Sequence, residues 1–281
     1  MADKILLPRS DFIFKLIFGD QRNVDILAAF LKTVLDLPES EYDKITVVDP
    51  HLKREADDDK AGILDVKIHT KSGKVVDVEI QVQPYPSMQK RTVFYVSKMV
   101  LEQIGKGKSY DDIQKVISLI ITDYIFIEEN DVYHNQYYLY DKKTGSQFTD
   151  IVEVDTLELP KLPKQEDGTE LWDWMQFLNA RQEEEFTMLA ERNPQIKKAV
   201  GVLMELSADE RTRLLYDERE KWRMDEMDLM QGAEKKGRSE GRYEERIGIA
   251  KNLIKNKIPI DVIANSTGLL HEEIEALRKE V

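Results

Sequence analysis

The sequence predicts a mixed α/β domain followed by an α-helical C-terminal region. Three observations predict it: apolar residues at helical spacing near the N-terminus, apolar alternation with a period of two over residues 44–82, and charged, helix-forming sequence beyond residue 164. The order helix, three strands, helix, strands is typical of a mixed sheet covered by helices. We expect three parts: residues 1–164 as the α/β domain, 165–245 as a charged helical region and linker, and 246–281 as a small helical tail.

The predicted elements follow one another along the chain. Ser10 is placed to cap a helix that Gly19 and Asp20 break into two. The strand candidates are ITVVDPHL, GILDVKIHT and VVDVEIQV within residues 44–82, then KVISLIITDYIF at 115–126 and NQYYLYD at 135–141. A helix is predicted over residues 87–103. The segment IVEVDTLELPKLP follows, and its two closing prolines are predicted to mark the rim of the first domain.

The second and third strand candidates form a hairpin whose register can be read from the sequence. A three-residue loop of Lys71, Ser72 and Gly73 puts Gly73 in the left-handed position, and Thr70 then pairs with Lys74. This register gives one apolar face, on which the pairs are Ile68 with Val76, Val66 with Val78, and Leu64 with Ile80. A two-residue loop would mix the faces and lose about 1.5–3 kcal/mol for each large aliphatic side chain.

The other face of this hairpin pairs Lys67 with Asp77 and Asp65 with Glu79. Because Cβ atoms of directly opposed residues lie roughly 4.5–5.5 Å apart, Asp65 and Glu79 would form a carboxylate pair. Such a pair suits a hard divalent cation such as Mg²⁺, which promotes phosphodiester hydrolysis. The alternative is that the face is only the solvated side of an amphipathic hairpin, with Lys67 and Asp77 as a surface ion pair.

Composition excludes several classes of protein. The 281 residues include no cysteine, which excludes disulfides, thiolate zinc sites and cysteine nucleophiles, and the four histidines show no HxxxH spacing. The glycines of QGAEKKGRSEGRYEERIG do not follow a strand, so we expect a solvated helical linker and no nucleotide cofactor. No window approaches 18 consecutive apolar residues, and MADKILLPRS lacks the apolar stretch of a secretory signal. We therefore expect a cytoplasmic protein without a membrane segment.

The net charge of -13 argues against a simple nucleic-acid binder, since Lys and Arg supply most non-specific affinity for phosphate. The objection weakens when charge is considered locally. Acidic runs such as EADDD at 55–59 and QEEEF at 182–186 are expected to lie away from any DNA-binding face.

Five blocks of sequence carry a resemblance to a known family. They are SDFIFKLIFGD at 10–20, ILDVKIHTKSGKVVDVEIQVQ at 63–83, KRTVFYVSKM at 90–99, the strand-rich VISLIITDYIF, and LELPKLPK at 157–164. Together they resemble the PD-(D/E)XK nuclease core, and more specifically the Rpn group of recombination-promoting nucleases and transposases. The linker and the closing IAKNLIKNKIPIDVIANSTGLLHEEIEAL also resemble the tail of many such proteins. The resemblance implies a restriction-endonuclease-like mixed sheet flanked by helices.

The same resemblance implies roles for individual residues. Asp65 and Glu79 would coordinate Mg²⁺, with Mn²⁺ as a substitute, helped by the main-chain carbonyl of Ile80. Gln81 stands where the general motif has lysine, so the positive charge must come from the metal or from a neighbouring cation, for which Lys67 is one candidate. Arg91, Tyr95 and Lys98 share a face of the following helix that would meet DNA phosphate, or else form an ordinary exposed helix face. Asp11 would approach the site from the first helix, or else favour that helix's dipole.

The resemblance implies a metal-dependent DNA endonuclease associated with recombination or mobile elements. DNA is the expected partner, and a homodimer is expected because many nucleases of this core dimerise. Two alternatives stay open: a catalytically inactive DNA-binding or regulatory relative, in line with Gln81 and the acidic balance, and a helical assembly protein.

The C-terminal residues are predicted to form two or three short helices, broken at Pro259 and Gly268. The spacing from Ala264 to Gly268 resembles the turn of a helix-turn-helix. The second helix, however, begins with His271 and three glutamates within five residues, and these would be repelled by phosphate. The tail is therefore either a DNA-reading element or a packing and self-association element.

Overall fold

A computed structural model of the chain describes residues 5–49, 51, 64–105, 107 and 109–280. The chain divides into two compact units, residues 1–216 and 217–281. The helices are α1 (Asp11–Phe18), α2 (Val24–Val34), α3 (Met88–Leu101), α4 (Glu170–Asn179), α5 (Glu183–Arg192), α6 (Pro194–Ala208), α7 (Glu210–Lys255), α8 (Ile260–Thr267) and α9 (His271–Glu280). The strands are β1 (Thr46–Val48), β2 (Val66–His69), β3 (Val75–Gln81), β4 (Val116–Thr122), β5 (His134–Tyr140) and β6 (Gln147–Glu158). The domain boundaries predicted at residues 164 and 245 stay a prediction. The acidic run at 55–59 lies outside the described residues.

The strands form one mixed sheet in the order β1-β2-β3-β4-β6-β5, which confirms the predicted α/β class. The outer pairs are antiparallel, whereas β3, β4 and β6 run parallel to one another. Such central strands are buried on both faces and need helices on either side. A large apolar cluster joins one face to α1, α2, α4, α5 and α6, and a smaller cluster joins the other face to α3.

The predicted hairpin register is confirmed. Val66 pairs with Val78, Lys67 with Asp77 and Ile68 with Val76. The Thr70 N–H donates to the Lys74 carbonyl over 3.0 Å, and Gly73 adopts φ 91°, the left-handed conformation that glycine tolerates at least cost.

The prediction for Leu64, at the far end of this hairpin, is wrong. Leu64 packs against Val75, Tyr95 and Met99 below α3 and not with the apolar face of Val66. The cause is a bend at Asp65, one residue before β2 begins, which ends the alternation of faces.

Residues 151–158, which precede the two prolines predicted to mark the rim, belong to β6, the longest described strand, which lies between β4 and β5. The prolines follow the end of this strand, and the rim stays a prediction. The alternation of β6 was hard to recognise because Glu153 and Asp155 occupy buried positions. Each has a partner of opposite or titratable charge: Lys115 forms an ion pair with Glu153, and His134 Nε2 lies 3.6 Å from Asp155 Oδ1. Buried carboxylates of this kind interrupt the apolar pattern by which a central strand is recognised in a sequence.

A carboxylate holds the tip of the β2–β3 hairpin. Glu41, which is buried, forms an ion pair with Lys74 and accepts hydrogen bonds from the Thr70 hydroxyl at 2.7 Å and the Ser72 N–H at 3.1 Å. Burial alone would raise the pKa of Glu41, but these bonds outweigh it and lower the pKa to about 2.

We expect Glu41→Gln to reduce the free energy of unfolding at neutral pH but not in acid. Because the pKa in the folded protein lies below the ordinary value of 4.5, the stabilisation is complete above about pH 4.5 and is lost as the pH falls towards about 2. Urea unfolding of both proteins at several pH values measures the difference. A difference that stays constant from neutral pH into this acid range would contradict the assignment.

The second unit, residues 217–281, contains most of α7 and the two short helices after it. Pro259 precedes α8 and Gly268, with φ 69°, ends it, which confirms both predicted breaks. A small core joins the C-terminal end of α7 to these helices: Ala250, Ile263, Leu269, Ile274 and Leu277. Glu273 accepts a hydrogen bond from the Leu270 N–H at 2.7 Å and so caps the start of α9. The helix-turn-helix interpretation stays a prediction.

Within the described ranges, no helix is both long enough and apolar enough to cross a membrane.

Candidate active site

Asp65 lies in the bend that precedes β2. One carboxylate oxygen accepts a hydrogen bond from the Ile80 N–H at 3.0 Å, and the other lies 2.8 Å from the ammonium of Lys15. The backbone pairs of the hairpin end at Val66 and Val78, so the Asp65 side chain takes the place of the next backbone acceptor. Asp65 is therefore fixed against the end of β3 by one strand contact and one helix contact.

Glu79 lies on β3 with only 2% of its surface exposed. Its pKa is raised to about 7, mainly by burial and in part by the charge of Asp65, while the charges of Arg91 and Lys15 oppose the shift. Its Oε1 lies 3.9 Å from the Arg91 guanidinium and has no hydrogen-bond partner among the described residues. Burying a carboxylate oxygen without a partner raises the free energy of the folded protein, so a bound ligand at this oxygen would stabilise the site.

Asp77 is the third acid on this face and is fully buried. Burial, followed by the charges of Glu79 and Asp65, raises its pKa well above the ordinary value, and Ser118 donates a hydrogen bond to it at 3.3 Å. The alternative of a solvated hairpin face is therefore wrong. It failed because α3 covers this side of the sheet, which the hairpin sequence does not reveal.

Two cations stand beside the carboxylate pair, Lys15 from α1 and Arg91 from α3. Reasoning from the sequence missed Lys15. A signal was available, since Lys15 interrupts the apolar run DFIFKLIF and lies four residues after Asp11 on the same helix face.

The structure brings some of the other predicted residues to this site and places some elsewhere. Gln81 ends β3 and shares the face of Glu79, and Asp11 begins α1 one turn before Lys15. Lys67 forms a 2.6 Å ion pair with Glu102. The cation in contact with Asp65 is Lys15, at 2.8 Å, so the role of Lys67 as replacement for the motif lysine stays a prediction.

The three residues of the predicted DNA-binding face of α3, Arg91, Tyr95 and Lys98, have different surroundings. Arg91 and Tyr95 turn towards Glu79, with the guanidinium carbon 5.0 Å from the Tyr95 ring, and Tyr95 is only 8% exposed. Lys98 lies further along the helix, 5.6 Å from the ring of Phe94.

The residues present fit a divalent metal of the Mg²⁺ class. No cluster of three or more His, Cys, Asp or Glu side chains with metal-binding geometry occurs in the described part of the chain. Mg²⁺ needs no such cluster, because it is commonly bound by one or two carboxylates and completes its shell with water and substrate phosphate. Asp65, the unpartnered oxygen of Glu79 and the adjacent Ile80 main chain supply that minimal set.

One comparison with known proteins gives a match. A family model described as PD-(D/E)XK nuclease family transposase matches residues 8–233, which include α1, the whole sheet and α3. No curated protein and no solved structure matches the chain.

Proposed function

Because the chain belongs to the PD-(D/E)XK nuclease family transposases, we propose that it is a metal-dependent DNA endonuclease that hydrolyses phosphodiester bonds. The observation that carries the proposal is the carboxylate pair of Asp65 and Glu79, with an unpartnered buried oxygen on Glu79 and two cations beside it. We connect this activity with DNA recombination or mobile elements, as the family description suggests.

The proposed metal ligands are Asp65, Glu79 and the Ile80 carbonyl, with Mg²⁺ as the ion and Mn²⁺ as a substitute. When bound, such an ion lowers the pKa of a coordinated water and offsets charge on the phosphate. The pKa of about 7 for Glu79 means that its ionised form becomes readily available near neutral pH. Metal binding by Glu79 would therefore release a proton from the fraction of molecules in which this carboxyl is neutral.

In this proposal, cationic side chains of the chain supply the positive charge that the lysine of the general PD-(D/E)XK motif would provide. Gln81 cannot supply charge, but it can position water or phosphate through its amide. We assign the missing positive charge to Lys15, whose ammonium contacts Asp65 at 2.8 Å, and phosphate contact to Arg91. Arg91 side-chain atoms are about one-third exposed, so they are within reach of a substrate. Asp11, one turn before Lys15, is proposed to help position it.

We expect Lys15→Met to slow DNA cleavage by about 10–100-fold, the usual effect of removing a residue that orients a metal ligand. The thermal midpoint should change little, because a partly exposed ion pair contributes only about 0–1 kcal/mol. Lys15→Arg should recover part of the rate, since it restores a cation near Asp65.

Lys198→Met is the matched control, because it removes another lysine–aspartate pair, Lys198 with Asp25, on the surface away from the carboxylates. It should cleave DNA at the wild-type rate. Equal rates for Lys15→Met and Lys198→Met would remove Lys15 from the mechanism.

A catalytically inactive DNA-binding relative is the second candidate function, and Gln81 is the observation that favours it. The two candidates differ in one result. A nuclease cleaves DNA more slowly in Lys15→Met but retains DNA binding, whereas an inactive binder shows no metal-dependent cleavage in any variant, the wild type included.

We also propose that the enzyme acts in the cytoplasm and as a homodimer. A chain without cysteine is compatible with a reducing compartment. Cleavage of both strands by one-site nucleases commonly uses two subunits, and light scattering of the purified protein would give the subunit number.

A further inference from the structure

The helix α3 departs sharply from the charge balance of the rest of the chain. Its sequence, MQKRTVFYVSKMVL, contains three basic residues and no acidic one, in a protein with a net charge of -13. A local basic surface on an acidic protein is a site where a polyanion can bind, because screening confines the field to its neighbourhood. This surface adjoins the carboxylate pair through Arg91.

Aromatic rings and cations on this helix and on the loop before it form one connected row, which we call the α3 ladder. The guanidinium carbon of Arg91 lies 6.0 Å from the Tyr85 ring and 5.0 Å from the Tyr95 ring. The Tyr95 and Phe94 rings are 5.9 Å apart, and the Lys98 ammonium lies 5.6 Å from the Phe94 ring. The ladder therefore consists of Tyr85, Arg91, Tyr95, Phe94 and Lys98.

Two rings of the ladder keep part of their surface in solvent. Tyr85 and Phe94 are each 37% exposed, whereas Tyr95 is buried. Tyr85 stands between Pro84 and Pro86, which restrict the backbone on both sides, and the Tyr85 carbonyl accepts a hydrogen bond from the Met88 N–H at 3.0 Å. The ring is thus presented from a stiff loop, with little conformational entropy left to lose on binding.

Exposed rings beside cations match the chemistry of unpaired nucleic acid. Single strands bind to surfaces on which bases stack against aromatic rings while cations follow the phosphates. In an intact duplex the base faces are already stacked on one another, and exposing one costs a few kcal/mol. Duplex binding also depends more strongly on phosphate neutralisation than single-strand binding does, which is unfavourable for an acidic chain.

We propose that the α3 ladder binds an unpaired stretch of DNA, so that the substrate is single-stranded DNA or the single-stranded part of a larger structure. This inference rests on the proposed function, since it names the substrate class of the same site. The bases stack on Tyr85 and Phe94, and Arg91 directs the intervening phosphate towards Asp65 and Glu79.

Binding measured without cleavage tests this proposal. Fluorescence polarisation in EDTA compares a labelled oligothymidylate with a duplex of equal length, using the full-length wild-type chain. We expect the single strand to bind at least about tenfold more tightly than the duplex. Tyr85→Ala and Phe94→Ala should each weaken single-strand binding by roughly fivefold or more, the loss of one base–ring stack.

Matched variants separate stacking from damage to the fold. Tyr85→Trp and Phe94→Tyr keep a ring and should retain binding, and Phe148→Ala removes an 84% exposed ring from β6 and should have no effect. Equal or tighter binding of the duplex, or unchanged binding in both alanine variants, would overturn the proposal. Failure of the nuclease proposal would appear separately, as absence of metal-dependent cleavage by the wild type.

Discussion

Glu79→Gln is expected to reduce DNA cleavage by at least about a hundredfold while the protein stays folded. Glutamine has the shape of the protonated carboxyl, and the pKa of Glu79 is about 7, so the neutral form already exists in the folded protein near neutral pH. What the variant loses is the ability to ionise and to offer Oε1 as a negative ligand. Cleavage rate and thermal midpoint, measured on the same preparation, separate these two effects.

Asp77→Asn is the matched control for Glu79→Gln. Asp77 lies two residues earlier on the same face, is fully buried and has a pKa raised by burial and by the charge of Glu79. Its neutral replacement should cleave DNA at nearly the wild-type rate, because burial and the charges of Glu79 and Asp65 already disfavour the ionised form of this carboxyl. If Asp77→Asn lost as much activity as Glu79→Gln, the effect would belong to the buried face as a whole and not to a ligand at Glu79.

The largest expected effect on stability is that of Trp174→Ala. Trp174 on α4 is fully buried, and its ring lies 6.0 Å from Phe18, 5.7 Å from Phe30 and 6.0 Å from Phe177. Removing a buried aromatic side chain costs about 3–5 kcal/mol, because the apolar contacts are lost and a cavity is left. Phe18 belongs to α1, the helix that carries Lys15, so we expect the variant to lose DNA cleavage as well as stability.

Urea unfolding followed by circular dichroism measures this effect. Trp174→Phe should cost less than Trp174→Ala because it retains a ring and removes an indole N–H that has no hydrogen-bond partner among the described residues. Tyr110→Ala, which changes an 80% exposed ring, should shift stability by less than about 1 kcal/mol. A loss of under about 1 kcal/mol for Trp174→Ala would mean that α4 is not part of the core that supports α1.

The hairpin shows what local sequence can predict. Its register followed from the loop ending in Gly73 and from alternation between two faces, both of which act between near neighbours. The same register predicts Asp65 opposite Glu79; the observed backbone pairing ends at Val66 and Val78, and Asp65 contacts the end of β3 through its side chain. The Leu64 prediction failed because the chain bends at Asp65, whose side chain contacts both Lys15 of α1 and the Ile80 N–H of β3.

The remaining misses share a different cause, which is contact between distant parts of the chain. Lys15 meets Asp65 across 50 positions of sequence, a contact that helical periodicity does not reveal. Strand β6 was obscured because Glu153 and Asp155 are buried only with partners on other segments, Lys115 and His134. Burial of Glu79 depends on α3, whose position over the sheet is a tertiary property.

Helices α4, α5 and α6 make the same point for the core. Their sequences contain many charged residues, so the sequence predicts them as part of the charged helical region at 165–245. Trp174, Phe177 and Phe186 nevertheless lie in the large cluster with the sheet. Charge content describes the outer face of such helices and says little about the face that they bury.

Nicking of supercoiled plasmid by the wild type and Asp65→Ala, each with Mg²⁺, Mn²⁺, Ca²⁺ or EDTA, tests the central claim most directly. Negative supercoiling favours local strand opening, so the assay also supplies the unpaired stretches that the α3 ladder is proposed to bind. We predict nicking by the wild type with Mg²⁺ or Mn²⁺, none in EDTA, and loss of nicking in Asp65→Ala at unchanged fold. No metal-dependent nicking by the wild type, or equal nicking by Asp65→Ala from a matched purification, would contradict the assignment of this site as a nuclease centre.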